Sequence, residues 1–117
     1  MAGRGQVISC HTEQELQGGI QGGIKSKKLV VVAFVALLNP PVLDDLAKEL
    51  TNVIFLKVDV TELKSVAHNW GVENIPTFFV LKKGTPAAKT LGENKEDLLM
   101  KIAKLATATD NLNLLET

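Results

Sequence analysis

The sequence has one cysteine, Cys10, one tryptophan, Trp70, and no tyrosine. A single cysteine excludes an intramolecular disulfide and any zinc centre built on cysteine ligands. Charge of either sign is not in excess: 13 basic residues balance 13 acidic ones, so no global field draws the chain to nucleic acid or an anionic membrane. A lone tryptophan gives bases no stacking platform. The longest apolar run, Leu29 to Leu38, falls far short of the roughly 20 residues of a membrane-spanning helix. The opening MAGRGQVISC holds no apolar stretch of signal-peptide length. The expectation is a cytoplasmic chain with neither membrane nor nucleic acid as partner.

Other absences concern chemistry. The glycine-rich GGIQGGI, Gly18 to Ile24, lacks the GK[ST] element and follows no strand, so it is not a phosphate loop. Asp44 and Asp45 are neighbours on a helix and point about 100° apart, so they form a solvated first turn rather than a catalytic carboxylate pair. His68 with Asp59 and Glu62 reads as a hydrated helix surface, and His11 lies far along the chain from His68. No metal and no other cofactor is expected.

What remains is ordinary globular stock. The 117 residues are 45% hydrophobic and 22% charged, enough for one domain with a real core. QVISC, from Gln6, reads as a strand. Thr12 with Glu15 forms a capping box, and the helix from Glu13 to Lys25 carries Gly18, Gly19, Gly22 and Gly23, each costing about 0.5–1 kcal/mol in a helix interior. LVVVAFVALL, from Leu29, predicts a strand covered on both faces. Asn39 is placed as N-cap and Pro40 as the first residue of a helix that buries Val42, Leu43, Leu46, Ala47 and Leu50. NVIFLKVDV gives a strand, and Asp59 with Glu62 is read as the cap of the helix in TELKSVAHNW. IPTFFVLKKG is a strand, Lys83 to Pro86 a hairpin turn, and AAKTLG the returning strand. A helix over Glu93 to Leu105 turns Leu98, Leu99, Ile102 and Leu105 inward, and residues 107–117 are expected to be a flexible tail after a single domain over 1–106. The order β-α-β-α-β-α-β-β-α gives an α/β fold, a central mixed sheet with helices on both faces.

The FLKVDVTELKSVAHNW and VENIPTFFVLKKG segments, with the opening GQVISCHT and the KKLVVV before the central strand, resemble thioredoxin, and more closely the h-type thioredoxins of plants. The resemblance covers about residues 5 to 106 and implies the thioredoxin fold. In that family the central strand leads into a tryptophan-cysteine-glycine-proline-cysteine motif and then a long helix with a kink proline. Here Phe34 and Ala36 match the strand, Pro41 the kink proline and Leu46-Ala47 the helix, and about six residues are missing between these anchors. The stretch FVALLNPPVLDDLAKEL thus holds no CxxC motif. The family's buried aspartate, one residue before the strand phenylalanine, is Ala33 here. An unpaired buried carboxylate is costly, so its loss fits the absence of a thiol to serve. Natural loss and engineered deletion leave the same sequence.

The resemblance therefore implies a non-catalytic binding or structural module, with Pro76 as the family's cis-proline and Ile75, Pro76 and Gly92, with Trp70 and Gly71 nearby, as a peptide groove. Protein partners would use the Pro76 face. The alternative is a thiol-dependent protein of cell redox homeostasis working through the residual thiol of Cys10, as a monomer or a weak dimer linked at Cys10.

Overall fold

In this computed structural model the backbone is described for residues 6–36 and 40–116, and the side chains for 6–36 and 40–106. Nine elements follow in order: β1 (Val7–Cys10), α1 (Glu13–Ser26), β2 (Val30–Val35), α2 (Pro41–Glu49), β3 (Ile54–Asp59), α3 (Lys64–Asn69), β4 (Thr77–Lys82), β5 (Thr85–Leu91) and α4 (Lys95–Glu116). The strands form one sheet in the order β1-β3-β2-β4-β5. The first three are parallel, while β4 and β5 are antiparallel to their neighbours.

The apolar run predicts a doubly covered strand, and β2 is one: all six residues are buried. Val30, Val32 and Phe34 face a cluster with Leu16 and Ile20 of α1 and Val66 and Ala67 of α3. Val31, Ala33 and Val35 face Leu43 and Leu46 of α2 and Leu98 and Ile102 of α4. Period-two alternation on β2 thus meets helical periodicity on both sides. Fully burying one such aliphatic or Phe side chain contributes about 1.5–3 kcal/mol.

The capping box before α1 is present in modified form. The Glu15 N–H donates to Thr12 Oγ1 at 3.1 Å, but Glu15 Oε1 accepts from the His11 N–H at 2.6 Å rather than from that of Thr12. The four glycines divide by helix face. A Cβ on Gly19 would lie 2.7 Å from the Leu56 side chain, and one on Gly23 would overlap Val30 Cγ2, whereas Gly18 and Gly22 face open space. Gly19 and Gly23 let α1 lie close on the sheet. The β4–β5 turn is two residues, Lys83 at φ 55° and Gly84 at φ 82°, the double positive φ of a type I′ hairpin, whose twist matches that of its strands.

Several boundaries differ from the sequence reading. Pro40, not Asn39, is the N-cap of α2 and Pro41 is its first residue; Asn39 lies outside the described residues. Asp59 does not cap α3. Its Oδ1 accepts from Thr61 N–H at 2.8 Å and Thr61 Oγ1 at 2.6 Å, closing an Asx turn instead. The helix starts only at Lys64, behind Leu63, and Glu62 turns to His11. Asn94 Oδ1 accepts from Asp97 N–H at 3.0 Å, so α4 begins at Lys95. Its backbone is helical through Glu116. Leu98 and Ile102 are buried, but Leu99 is 36% exposed because it lies one residue off the inward stripe.

Replacing Gly18 or Gly22 by Ala should raise unfolding free energy by about 0.5–1 kcal/mol each, whereas Gly23→Ala should lower it, by about 1–3 kcal/mol, through the clash with Val30. Urea denaturation of the three variants measures both signs.

Candidate functional site

In α/β sheets the carboxyl ends of parallel strands are where ligands bind. At the end of β2, Thr77 is the ladder partner of Phe34, so the Ile75–Pro76 peptide, which is cis, sits beside the point where β2 leads toward α2. The Pro76 C=O accepts the Gly92 N–H at 2.8 Å, and Gly92 holds φ +78°. The Thr77 hydroxyl, itself buried, donates to the Asn74 C=O and fixes the loop from below. Ile75, Pro76 and Gly92 are therefore drawn together by direct bonds. Among the described residues, neither the N–H nor the C=O of Ile75 has a backbone partner.

Trp70 is joined to this group more indirectly. Its ring packs on Phe34, 5.4 Å between centroids, and on Phe79, 5.2 Å, with Phe34 and Phe79 5.8 Å apart. These tilted and edge-on geometries are the favourable ones for aromatic pairs. Trp70 lies on the α1–α3 side of the sheet and braces Phe34 from behind. Gly71, at φ +70°, supplies the left-handed turn after α3. The sequence reading missed Leu91, the ladder partner of Thr77. Leu91 is 53% exposed and Ile75 44%. The alternation of β5 was the signal available: Thr90 is buried, so Leu91 must point out.

Cys10 ends β1 and is 2% exposed, in the cluster with Leu16, Val32 and Phe34. Burial first, and the nearby Glu15 carboxylate second, push its thiol up to about 11. At pH 7 about one thiol in ten thousand is then ionised, and the thiolate is the nucleophile. Beside it His11 Nδ1 lies 3.0 Å from Glu62 Oε1. This hydrogen bond and its charge raise the His11 pKa above its ordinary 6.5. His11–Glu62 ties β1 to the β3–α3 loop at the surface. Ala33, where the resemblance locates a carboxylate, is fully buried in an apolar cluster, with Lys57 of β3 as its ladder partner. Among the described residues no group of three His, Cys, Asp or Glu could hold a metal ion, and no helix is long and apolar enough to cross a membrane.

A model of the thioredoxin family matches residues 7–104. This chain belongs to the thioredoxin family. Among characterised relatives, an h-type thioredoxin of Ricinus communis is 48% identical over 115 residues, covering 92% of this chain and 98% of its own. Thioredoxin H1 of Arabidopsis thaliana is 46% identical over 106 residues, with 86% and 93% covered. Ninety-two per cent of 117 residues is about 108, so about seven of the 115 positions aligned with the Ricinus protein have no residue here. Solved thioredoxins superpose well: NaTrxh from Nicotiana alata with TM-score 0.76 and 35% identity, covering 84% of this chain and 90% of its own, and a wild-type poplar thioredoxin h with TM-score 0.79 and 27% identity, covering 86% and 96%. Thioredoxin family membership and fold follow from both sequence and structure, and h-type thioredoxins are among its similar relatives.

Two titrations test the geometry around this thioredoxin-family β1. Native Cys10 should react with an aromatic disulfide reagent at least about a hundredfold more slowly than in denaturant, with reactivity rising only toward pH 11. The His11 imidazole should titrate above 6.5 by NMR and return toward 6.5 in Glu62→Gln. Because its folded pKa is raised, any stability it adds is full below the unfolded value of about 6.5 and is lost as pH rises through the folded value.

Proposed function

We propose that this protein is a thioredoxin-family module without dithiol turnover, binding extended polypeptide through the face made by Ile75, Pro76 and Gly92. The observation that carries the reading is the single, buried cysteine. Exchange by the family's route needs a thiolate to attack a disulfide and a second thiol nearby to release the mixed disulfide. One thiol cannot do both.

Three features support the reading. The roughly seven unfilled positions agree in size with a missing motif segment between Ala36 and Pro41. Ala33 leaves no buried carboxylate to assist a thiol. The N–H and C=O of Ile75, without a backbone partner among the described residues, and the exposed Ile75 and Leu91 side chains suit the addition of an extended strand, in which main-chain bonds give affinity and side chains give selectivity. The thiol-dependent alternative, through Cys10 or a Cys10-linked dimer, is disfavoured by the burial and raised pKa of that thiol. A cytoplasmic location and a domain over residues 1–106 belong to the same proposal.

Reduction of insulin by dithiothreitol, followed by turbidity with and without the protein, should show no acceleration. Acceleration that disappears in Cys10→Ser would overturn the reading. Capture of an extended apolar peptide should be indifferent to reductant and weaken about tenfold or more, 1.4 kcal/mol, in Pro76→Ala.

A further inference from the structure

The other end of the sheet carries a second concave surface. The antiparallel register that sets Thr77 against Phe34 also sets Leu81 against Val30, so the start of β2 and the end of β4 lie remote from Pro76. A cavity of about 930 Å³ opens there, within the range of small-molecule sites. It lies between the C-terminal ends of α1 and α2, the β4–β5 turn and α4. Leu29, Leu50, Val53 and Ile102 line it, and Ile24 and Leu99, 39% and 36% exposed, leave apolar wall open to solvent.

Four lysines belong to the same lining: Lys27 and Lys28 from the α1–β2 connection, Lys82 and Lys83 from the hairpin. Lys27 is the left-handed C-cap of α1 and Lys83 the first residue of the type I′ turn, so both backbones are pinned. Among the described residues none of the four is in an ion pair; Glu49, Asp97 and Glu62 are engaged by Lys95, Lys101 and His11. Lys82 Nζ reaches the Leu105 C=O at 3.4 Å, a weak bond to a neutral acceptor. In a chain of zero net charge, four of 13 cations gathered round one apolar cavity make a local positive field. Lysine stems can line apolar surface while their ammonium heads stay in water.

We propose that this cavity binds a free long-chain monocarboxylate, with the tail along Leu29, Leu50, Val53 and Ile102 and the carboxylate among Lys27, Lys28, Lys82 and Lys83. The apolar lining calls for a chain and the lysines for an anion. Concavity favours one molecule held inside over a flat membrane surface. The site is independent of the Pro76 face and of any redox role.

Calorimetric titration and amide NMR of the full chain with dodecanoate below its micelle concentration test this. Dodecanoate should bind one to one and shift amides near Ile24, Leu29, Lys82 and Leu99. Decanoate, two methylenes shorter, should bind about fifteenfold more weakly, and dodecyltrimethylammonium should not bind. Lys27→Glu/Lys83→Glu, both at exposed positions, should weaken dodecanoate about tenfold or more by reversing two charges. Ala103→Phe, on the lining, should block it without disturbing the buried core. The proposal is overturned by absence of binding, by equal affinity for the cationic amphiphile or for decanoate, by indifference to both variants, or by shifts confined to the Pro76 loop. Attachment to phosphatidylglycerol vesicles without monomer binding would overturn it as well, assigning the lysines to a membrane surface.

Discussion

Everything in this molecule is arranged around burial of β2 on both of its faces. Six consecutive residues are removed from water there, three toward α1 and α3 and three toward α2 and α4. A strand of that kind has no polar face to offer, so it can only be central, with strands on both sides and helices above and below. The order β1-β3-β2-β4-β5 follows from that need. Phe34 shows the dependence most directly. Its ring rests on Trp70 and Phe79, while its backbone sets the register of Thr77 and so the position of the Pro76 loop.

The same strand separates two surfaces of opposite character. At its carboxyl end lie a cis peptide bond, the Ile75 N–H and C=O without a backbone partner among the described residues, and two exposed apolar side chains, the edge proposed for main-chain recognition. At its amino end, apolar walls and four lysines line an open cavity. Antiparallel pairing of β2 with β4 puts the start of β4 at one surface and its hairpin at the other, so a single ladder fixes both.

Cys10 and Ala33 share one logic. Cys10 is packed among Leu16, Val32 and Phe34, where ionisation is penalised, and Ala33 is fully buried in an apolar cluster with Lys57 as its ladder partner on β3. Burial raises the cost of charge on either side of the central strand. Among the described residues, His11–Glu62 and Lys95–Glu49 are exposed ion pairs and Lys101–Asp97 a partly buried one, and exposed pairs of this kind stabilise little.

Much of the fold was legible in local patterns. The doubly apolar run of β2, the helical stripe of α2, the Thr12–Glu15 box and the Lys83-Gly84 turn are all short-range signals, dictated by side-chain period, capping chemistry and allowed φ. Cys10 as the lone thiol and the resemblance of the Pro76 segment were equally plain. Where local signals competed, the sequence was a poorer guide: Asp59 could cap a helix or close an Asx turn, and the turn won because Thr61 offered two donors at once. The pairing of Glu62 with His11, 51 residues away, the contrast between Gly23 and Gly18, the exposure of Leu91 at the edge of the Pro76 loop and the gathering of four lysines round one cavity belong to the tertiary structure alone. Each depends on which surfaces the sheet and helices bring within a few ångströms of one another, and distances between residues remote in the chain are set by packing, not by neighbouring residue types.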